Sequence, residues 1–224
     1  MSFPTAEFAA DERVRRGMRA QLDRRSELLE GGEEPLGWKV GFGNPQSFDR
    51  FGTSAPMVGF LLRSALLEPG ASVPIGDLAQ PALEAEVAAI MGDDGSIAAL
   101  APAFELADVD PPPEDVETIL AGNIFQRAVM LGERSDDASP DGLSATLVQN
   151  EGAPIEVDDT RLATGDINAV LRHTSELLEA FGERLGPGDV VITGAIVPPI
   201  PVKPGDRFDF DLSGVGRLAI ELQE

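Results

Sequence analysis

The 224-residue chain has no cysteine and no tyrosine, and only one histidine, one tryptophan and two lysines. Without cysteine there is no disulfide, no thiol nucleophile and no thiolate metal site. Without tyrosine no mechanism can use a phenol. The single histidine, His173, falls on a predicted helix far from the acidic motifs and reads as a surface or packing residue. Positive charge is also scarce: 17 basic residues face 39 acidic ones, for a net charge of −22 and a pI near 4.2. That balance argues against nucleic acid and against anionic membranes as partners. An anionic substrate would need a local positive centre. No apolar run reaches the ~18 residues of a membrane span. The N-terminus lacks a basic segment followed by an apolar one, so no signal peptide is expected and the expected compartment is the cytoplasm.

What is present is a set of carboxylates in apolar surroundings. Glu84 and Glu86 lie in PALEAEVAAIMG (81–92), and Glu105 in LAPAFELADVD (100–110). A strand repeats every two residues, so Glu84 and Glu86 leave it from one face. Three carboxylates brought together among Ala, Leu, Val and Ile are unfavourable unless a cation sits between them. Oxygen ligands alone suit Mg²⁺, Mn²⁺ or Ca²⁺ rather than Zn²⁺. The same spacing also fits a solvated strand face with Glu105 as an unrelated surface charge.

Arginine carries nearly all the basic charge, so each lysine stands out. Lys39 lies in the apolar, glycine-flanked segment Leu36–Phe42. A buried lysine can serve as an acid/base or a substrate clamp, a role closed to arginine, which stays charged. The alternative is a lysine snorkelling from a strand edge. Lys203, before Pro204-Gly205-Asp206, reads as a turn residue.

Periodicity predicts one amphipathic helix over 6–30, stopped by Gly31-Gly32. Strands follow at 36–42, 57–62, 82–91 and 97–107, with Gly92-Asp93-Asp94-Gly95 as a hairpin signal that could return Glu105 beside Glu84 and Glu86. A short helix near 113–121 opens at a proline. Strands near 124–132, 144–149 and 154–157 precede a second clear helix over 166–184, capped by Asp166. The tail alternates at 190–193, 207–212 and 217–222. Helices without regular β-α alternation predict an α+β fold with a largely antiparallel or mixed sheet. No linker or internal repeat divides the chain, so 1–224 reads as a single domain with its N-terminal helix packed on the sheet.

Taken in order, these segments resemble the fumarylacetoacetate hydrolase superfamily, and within it the 2-keto-4-pentenoate hydratase / oxalocrotonate decarboxylase branch. GWKVGF (37–42), PMVGFLLRSAL (56–66), LEAEVAAIMG (83–92), PAFELAD (102–108), AGNIFQRAVMLG (121–132) and the ending 164–206 carry the likeness. The resemblance implies a mixed β-roll with peripheral helices, assembled as a homo-oligomer. It implies that Glu84, Glu86 and Glu105 hold Mg²⁺ or Mn²⁺, that Lys39 is the active-site lysine, and that Asn123 hydrogen-bonds the substrate or orients a water. The sequence departs from the branch at Met57, where an acid is usual, at Gly122 in place of aspartate, and at Ile124 and Phe125 in place of small hydroxyl residues. After Asp108, Val109 and Asp110 replace the usual Ser-Arg.

The activity so implied is a metal-dependent hydratase that adds water to a small-molecule 2-oxo-alkenoate. A decarboxylase or C–C bond hydrolase acting on a related 2-oxo acid shares the same electron sink. A non-catalytic binding or scaffold protein on the same fold is the reading from another class.

Overall fold

The computed structural model of the protein describes residues 2–112 and 114–224. Asp11 divides the expected N-terminal helix in two. Its side chain accepts a hydrogen bond from the Arg13 amide at 2.8 Å, and its own backbone is extended. An aspartate that satisfies a first-turn amide starts a new helix. The single helix over 6–30 is therefore corrected to α1 (Thr5–Ala10) and α2 (Glu12–Glu30).

β1 (Pro35–Gly41), α3 (Pro45–Phe51), β2 (Met57–Leu62) and the short β3 (Leu66–Leu67) and β4 (Ser72–Pro74) come next. The long strands β5 (Pro81–Met91) and β6 (Ile97–Asp108) lead to α4 (Val116–Ala121). β7 (Gln126–Leu131), β8 (Ala145–Gln149), β9 (Ile155–Val157), the one-turn α5 (Arg161–Thr164) and α6 (Ile167–Ala180) follow. β10 (Val190–Ala195), β11 (Ile200–Pro201), β12 (Arg207–Leu212) and β13 (Gly216–Gln223) complete the chain.

Four differences from the sequence reading have local causes. α3 was not expected; Asn44 caps it by accepting from the Ser47 amide at 2.9 Å, and Pro45 fits its first turn. The helix expected near 113–121 begins at Val116, where Asp115 accepts from the Thr118 amide at 3.0 Å, and Pro113 lies outside the described residues. α6 stops at Ala180 rather than 184, because Gly182 turns left-handed two residues later. The strand expected from 124 starts at Gln126, since residues 123–125 all have positive φ.

Two mixed sheets result. The larger has the order β2-β1-β10-β5-β6-β7-β3, with β11 also paired to β5, and the smaller the order β4-β13-β12-β8-β9. β1 runs parallel to β10, with Gly37 beside Val190. Phe104 of β6 packs against Phe208 and Phe210 of β12, with ring centroids 6.4 and 5.7 Å apart, and so joins the sheets. The alternation on β5 explains the rest. Leu83, Ala85, Val87, Ala89 and Met91 enter this inter-sheet core. Glu84, Glu86 and Ala88 therefore leave from the opposite face.

α6 packs with α1 through His173, which is buried. The Pro56 carbonyl can only accept, so His173 Nε2 donates to it at 2.9 Å, and Nδ1 accepts from the Thr5 hydroxyl at 2.9 Å. Phe3 and Phe8 cover the ring. Desolvation holds its pKa below the usual value of 6.5, partly offset by the Pro56 bond. In the window just below 6.5 the unfolded chain binds a proton that the folded chain refuses, so stability falls as pH falls. Urea unfolding at pH 7.5 and 5.5 is expected to show a smaller loss for His173→Gln than for the native chain. An equal loss in both proteins would remove His173 from this account.

Candidate metal centre

The hairpin between β5 and β6 sets Glu84 directly opposite Glu105 and Glu86 opposite Ala103. One oxygen from each of Glu84, Glu86 and Glu105 lies within 4.8 Å of the other two. Glu86 and Glu105 are wholly buried, and Glu84 is half-buried in a cavity wall. Glu86 Oε2 accepts from the Gly194 amide at 2.8 Å. That amide is available because the β10–β5 register shifts between Ile192 and Ala195. Glu105 Oε1 pairs with the Lys39 ammonium. Glu86 Oε1 and Glu105 Oε2 are buried without a hydrogen-bond partner among the described residues.

Burial pushes all three carboxyls upward. Glu105 rises to about 7, desolvation outweighing the opposing pull of Lys39. Glu86 is held well above its ordinary range by desolvation, and then by the charges of Glu105 and Glu84. Glu84 is raised by desolvation against Lys39. Three ionised carboxylates and one ammonium leave two negative charges, which a divalent cation would cancel. The partnerless oxygens and the all-carboxylate donor set therefore fit a hard divalent ion such as Mg²⁺, Mn²⁺ or Ca²⁺.

Lys39 reaches the trio from β1, where Gly59 of β2 and Ile192 of β10 are its register partners. It is 2% exposed. Its Nζ also donates to the Ile124 carbonyl at 2.9 Å. Beside it opens a cavity of about 250 Å³, walled by Phe42, Val109, Ile124, Phe125, Thr164 and Pro199 as well as Lys39 and Glu84. Lys203, by contrast, is exposed, and its amide donates to Asp206 in a turn.

Asn123 is held by the edge of β2. Its Oδ1 accepts from the Phe60 amide at 2.8 Å and its Nδ2 donates to the Phe60 carbonyl at 3.0 Å. Asn123 is not among the residues that wall the cavity, and its amide clamps the Phe60 backbone. Met57 is wholly buried in the apolar cluster of Val58 and Phe60, and Gly122 closes α4 without a side chain. Two further contributors, the Ile124 carbonyl and the Gly194 amide, are backbone groups, which no side-chain pattern announces.

No family model matches the chain. It is 27% identical over 211 residues to 2-hydroxyhexa-2,4-dienoate hydratase of Comamonas testosteroni, covering 86% of this chain and 80% of that protein. It is 30% identical over 217 residues to 2-keto-4-pentenoate hydratase 2 of Dechloromonas aromatica (strain RCB), covering 89% and 82%. Among solved structures, 4-oxalocrotonate decarboxylase from Pseudomonas putida G7, complexed with magnesium and adipate, superposes with a TM-score of 0.86. That match covers 99% of this chain and 90% of the other at 20% identity, which shows the shared α+β fold. With such identity sustained along nearly its whole length, the chain belongs to the 2-keto-4-pentenoate hydratase family.

Proposed function

We propose that the protein is a metal-dependent hydratase that adds water to a small 2-oxo-alkenoate. The observation that carries this reading is the meeting of Glu84, Glu86 and Glu105 with Lys39 at one cavity, in a chain of this family. Glu84, Glu86 and Glu105 would hold a divalent ion, Mg²⁺ or Mn²⁺. Bound there, it supplies Lewis-acid polarisation of the substrate's 2-oxo group.

The chain's own residues do the rest. Lys39 Nζ has three protons, of which Glu105 and Ile124 take two. The third is free to hold the substrate carboxylate or to relay a proton to it. Phe42, Val109, Ile124 and Phe125 give an apolar wall that limits stray water around the substrate's unsaturated tail. Thr164 and Thr193 also line the cavity, with their hydroxyls donating to the Thr160 and Val87 carbonyls.

The experiment offers 2-hydroxy-2,4-dienoates and 2-oxo diacids with Mg²⁺, following ultraviolet absorbance and CO₂ release together. Absorbance loss on the monoacid dienoates without CO₂ is the expected result. CO₂ release from the diacids would replace the hydratase with a decarboxylase, and no change with either would leave a binding protein. Lys39→Arg is expected to keep the fold and lower turnover by about 10²-fold or more, the usual scale of a positioned proton-transfer group. Turnover equal to that of the native chain would take Lys39 out of the reaction.

A further inference from the structure

Backbone strain in this protein is concentrated at one place. Among the described residues, five other than glycine have positive φ: Phe42, Asn123, Ile124, Phe125 and Asn150. Phe42, Ile124 and Phe125 line the cavity beside Lys39, and Asn123 adjoins them. A β-branched residue such as Ile124 at φ 51° is an outlier, because its side chain crowds the backbone in that conformation. Three consecutive residues persist in it only if the surroundings hold them there.

Asn123 supplies the hold. β2 is the terminal strand of the larger sheet, so its outer edge has no neighbouring strand. The Asn123 amide bonds both the N–H and the C=O of Phe60 on that strand, standing in for a strand residue. The next carbonyl, that of Ile124, is then presented to Lys39 Nζ at 2.9 Å. Gly59 makes the arrangement possible. A Cβ at that position would lie 2.8 Å from Asn123 Oδ1 and 3.0 Å from Lys39 Cγ.

We propose that Asn123 is a positioning residue for Lys39. Clamped to the edge of β2, it keeps the turn 123–125 left-handed, and the turn's Ile124 carbonyl fixes the ammonium beside Glu105. This rests on the part given to Lys39 above, but one arm of its test does not need turnover. Releasing the clamp lets the strained turn relax, and the ammonium loses its neutral anchor while the three carboxylates stay in place.

The chain's two lysines make the test clean. Native protein with Mg²⁺, well below its melting point, is exposed to an amine-acylating reagent. Mass spectrometry gives modification of Lys39 relative to exposed Lys203. In Asn123→Ala this ratio is expected to rise about tenfold, because the buried amine is freed locally. kcat is expected to fall about 10²-fold, the scale of a misplaced group. The Mg²⁺ dissociation constant is expected to stay within about threefold, because the three carboxylates stay in place. Asn123→Gly, which suits the left-handed backbone and removes the whole side chain with its amide, is the second variant should alanine not fold. Leu222→Ala, in the inter-sheet core, serves as a destabilised control in which the ratio stays native. An unchanged ratio in both Asn123 variants, or a raised ratio with native kcat, overturns the proposal. Absence of any hydratase activity in the native chain would overturn the function above, while the labelling ratio still decides the clamp.

Discussion

Glu86→Gln is expected to yield a folded protein that Mg²⁺ no longer stabilises. In the native chain, Mg²⁺ at a hundredfold excess over its dissociation constant is expected to add about 2.7 kcal/mol to the folded state. For a protein of this size that is an upward shift of about 5–10 °C in Tm. The glutamine has one oxygen where the carboxylate had two, and no charge. If its oxygen keeps the Gly194 amide that Glu86 Oε2 now holds at 2.8 Å, its NH₂ faces the cation's place. Without Mg²⁺ the variant is expected to melt no lower than the native chain, since a wholly buried acid repelled by two others has become neutral. Turnover is expected to fall to background. The measurement is a pair of melting curves with and without Mg²⁺ for each protein. A native-sized shift in Glu86→Gln would dismiss the trio as a metal centre.

The second large effect is on folding. Gly37 has φ 150° and lies against Val190 where β1 and β10 run parallel. A Cβ there would fall 2.0 Å from the Val190 carbonyl oxygen and 2.6 Å from its nitrogen. Both atoms belong to the backbone of a central strand, which cannot yield without breaking the ladder. Gly37→Ala is therefore expected to cost more than about 4 kcal/mol, the range of the severest single substitutions, and to give mostly insoluble protein. Gly70→Ala is the control. Gly70 also has positive φ (78°), but nothing lies within 4 Å of a Cβ there. It is expected to lose only about 1–2 kcal/mol, the penalty of the left-handed backbone. Similar soluble yields and urea midpoints for the two variants would show that the contact with Val190 is not what matters.

Much of the candidate site could be read from the amino acids because it depends on strand period and on scarcity. Glu-x-Glu in an alternating segment fixes two carboxylates on one face, and the Gly92–Gly95 turn signal brings Glu105 back opposite Glu84. Lys39 stood out because lysine is rare in this chain. The parallel pairing of β1 with β10 joins distant parts of the sequence, and nothing local records it. Asn123 was legible as a polar residue in a motif but not as a clamp, because its partner is the backbone of Phe60. The turn at 123–125 was hidden for a different reason. Ile124 and Phe125 have strong strand preference, which the tertiary contacts override. Asp11 shows the reverse case: a capping preference visible in the sequence was outweighed by an apolar stripe that continues on both sides of it.

The two-sided character of β5 also guards against misthreading. If this strand slipped by one residue against its neighbours, Glu84 and Glu86 would turn towards Phe104, Phe208 and Phe210, and Leu83, Ala85 and Val87 would turn towards Lys39. Both exchanges are unfavourable, one by stranding charge in hydrocarbon and the other by abandoning an ammonium. The meeting of the carboxylates and the accuracy of assembly are thus written into the same eleven residues.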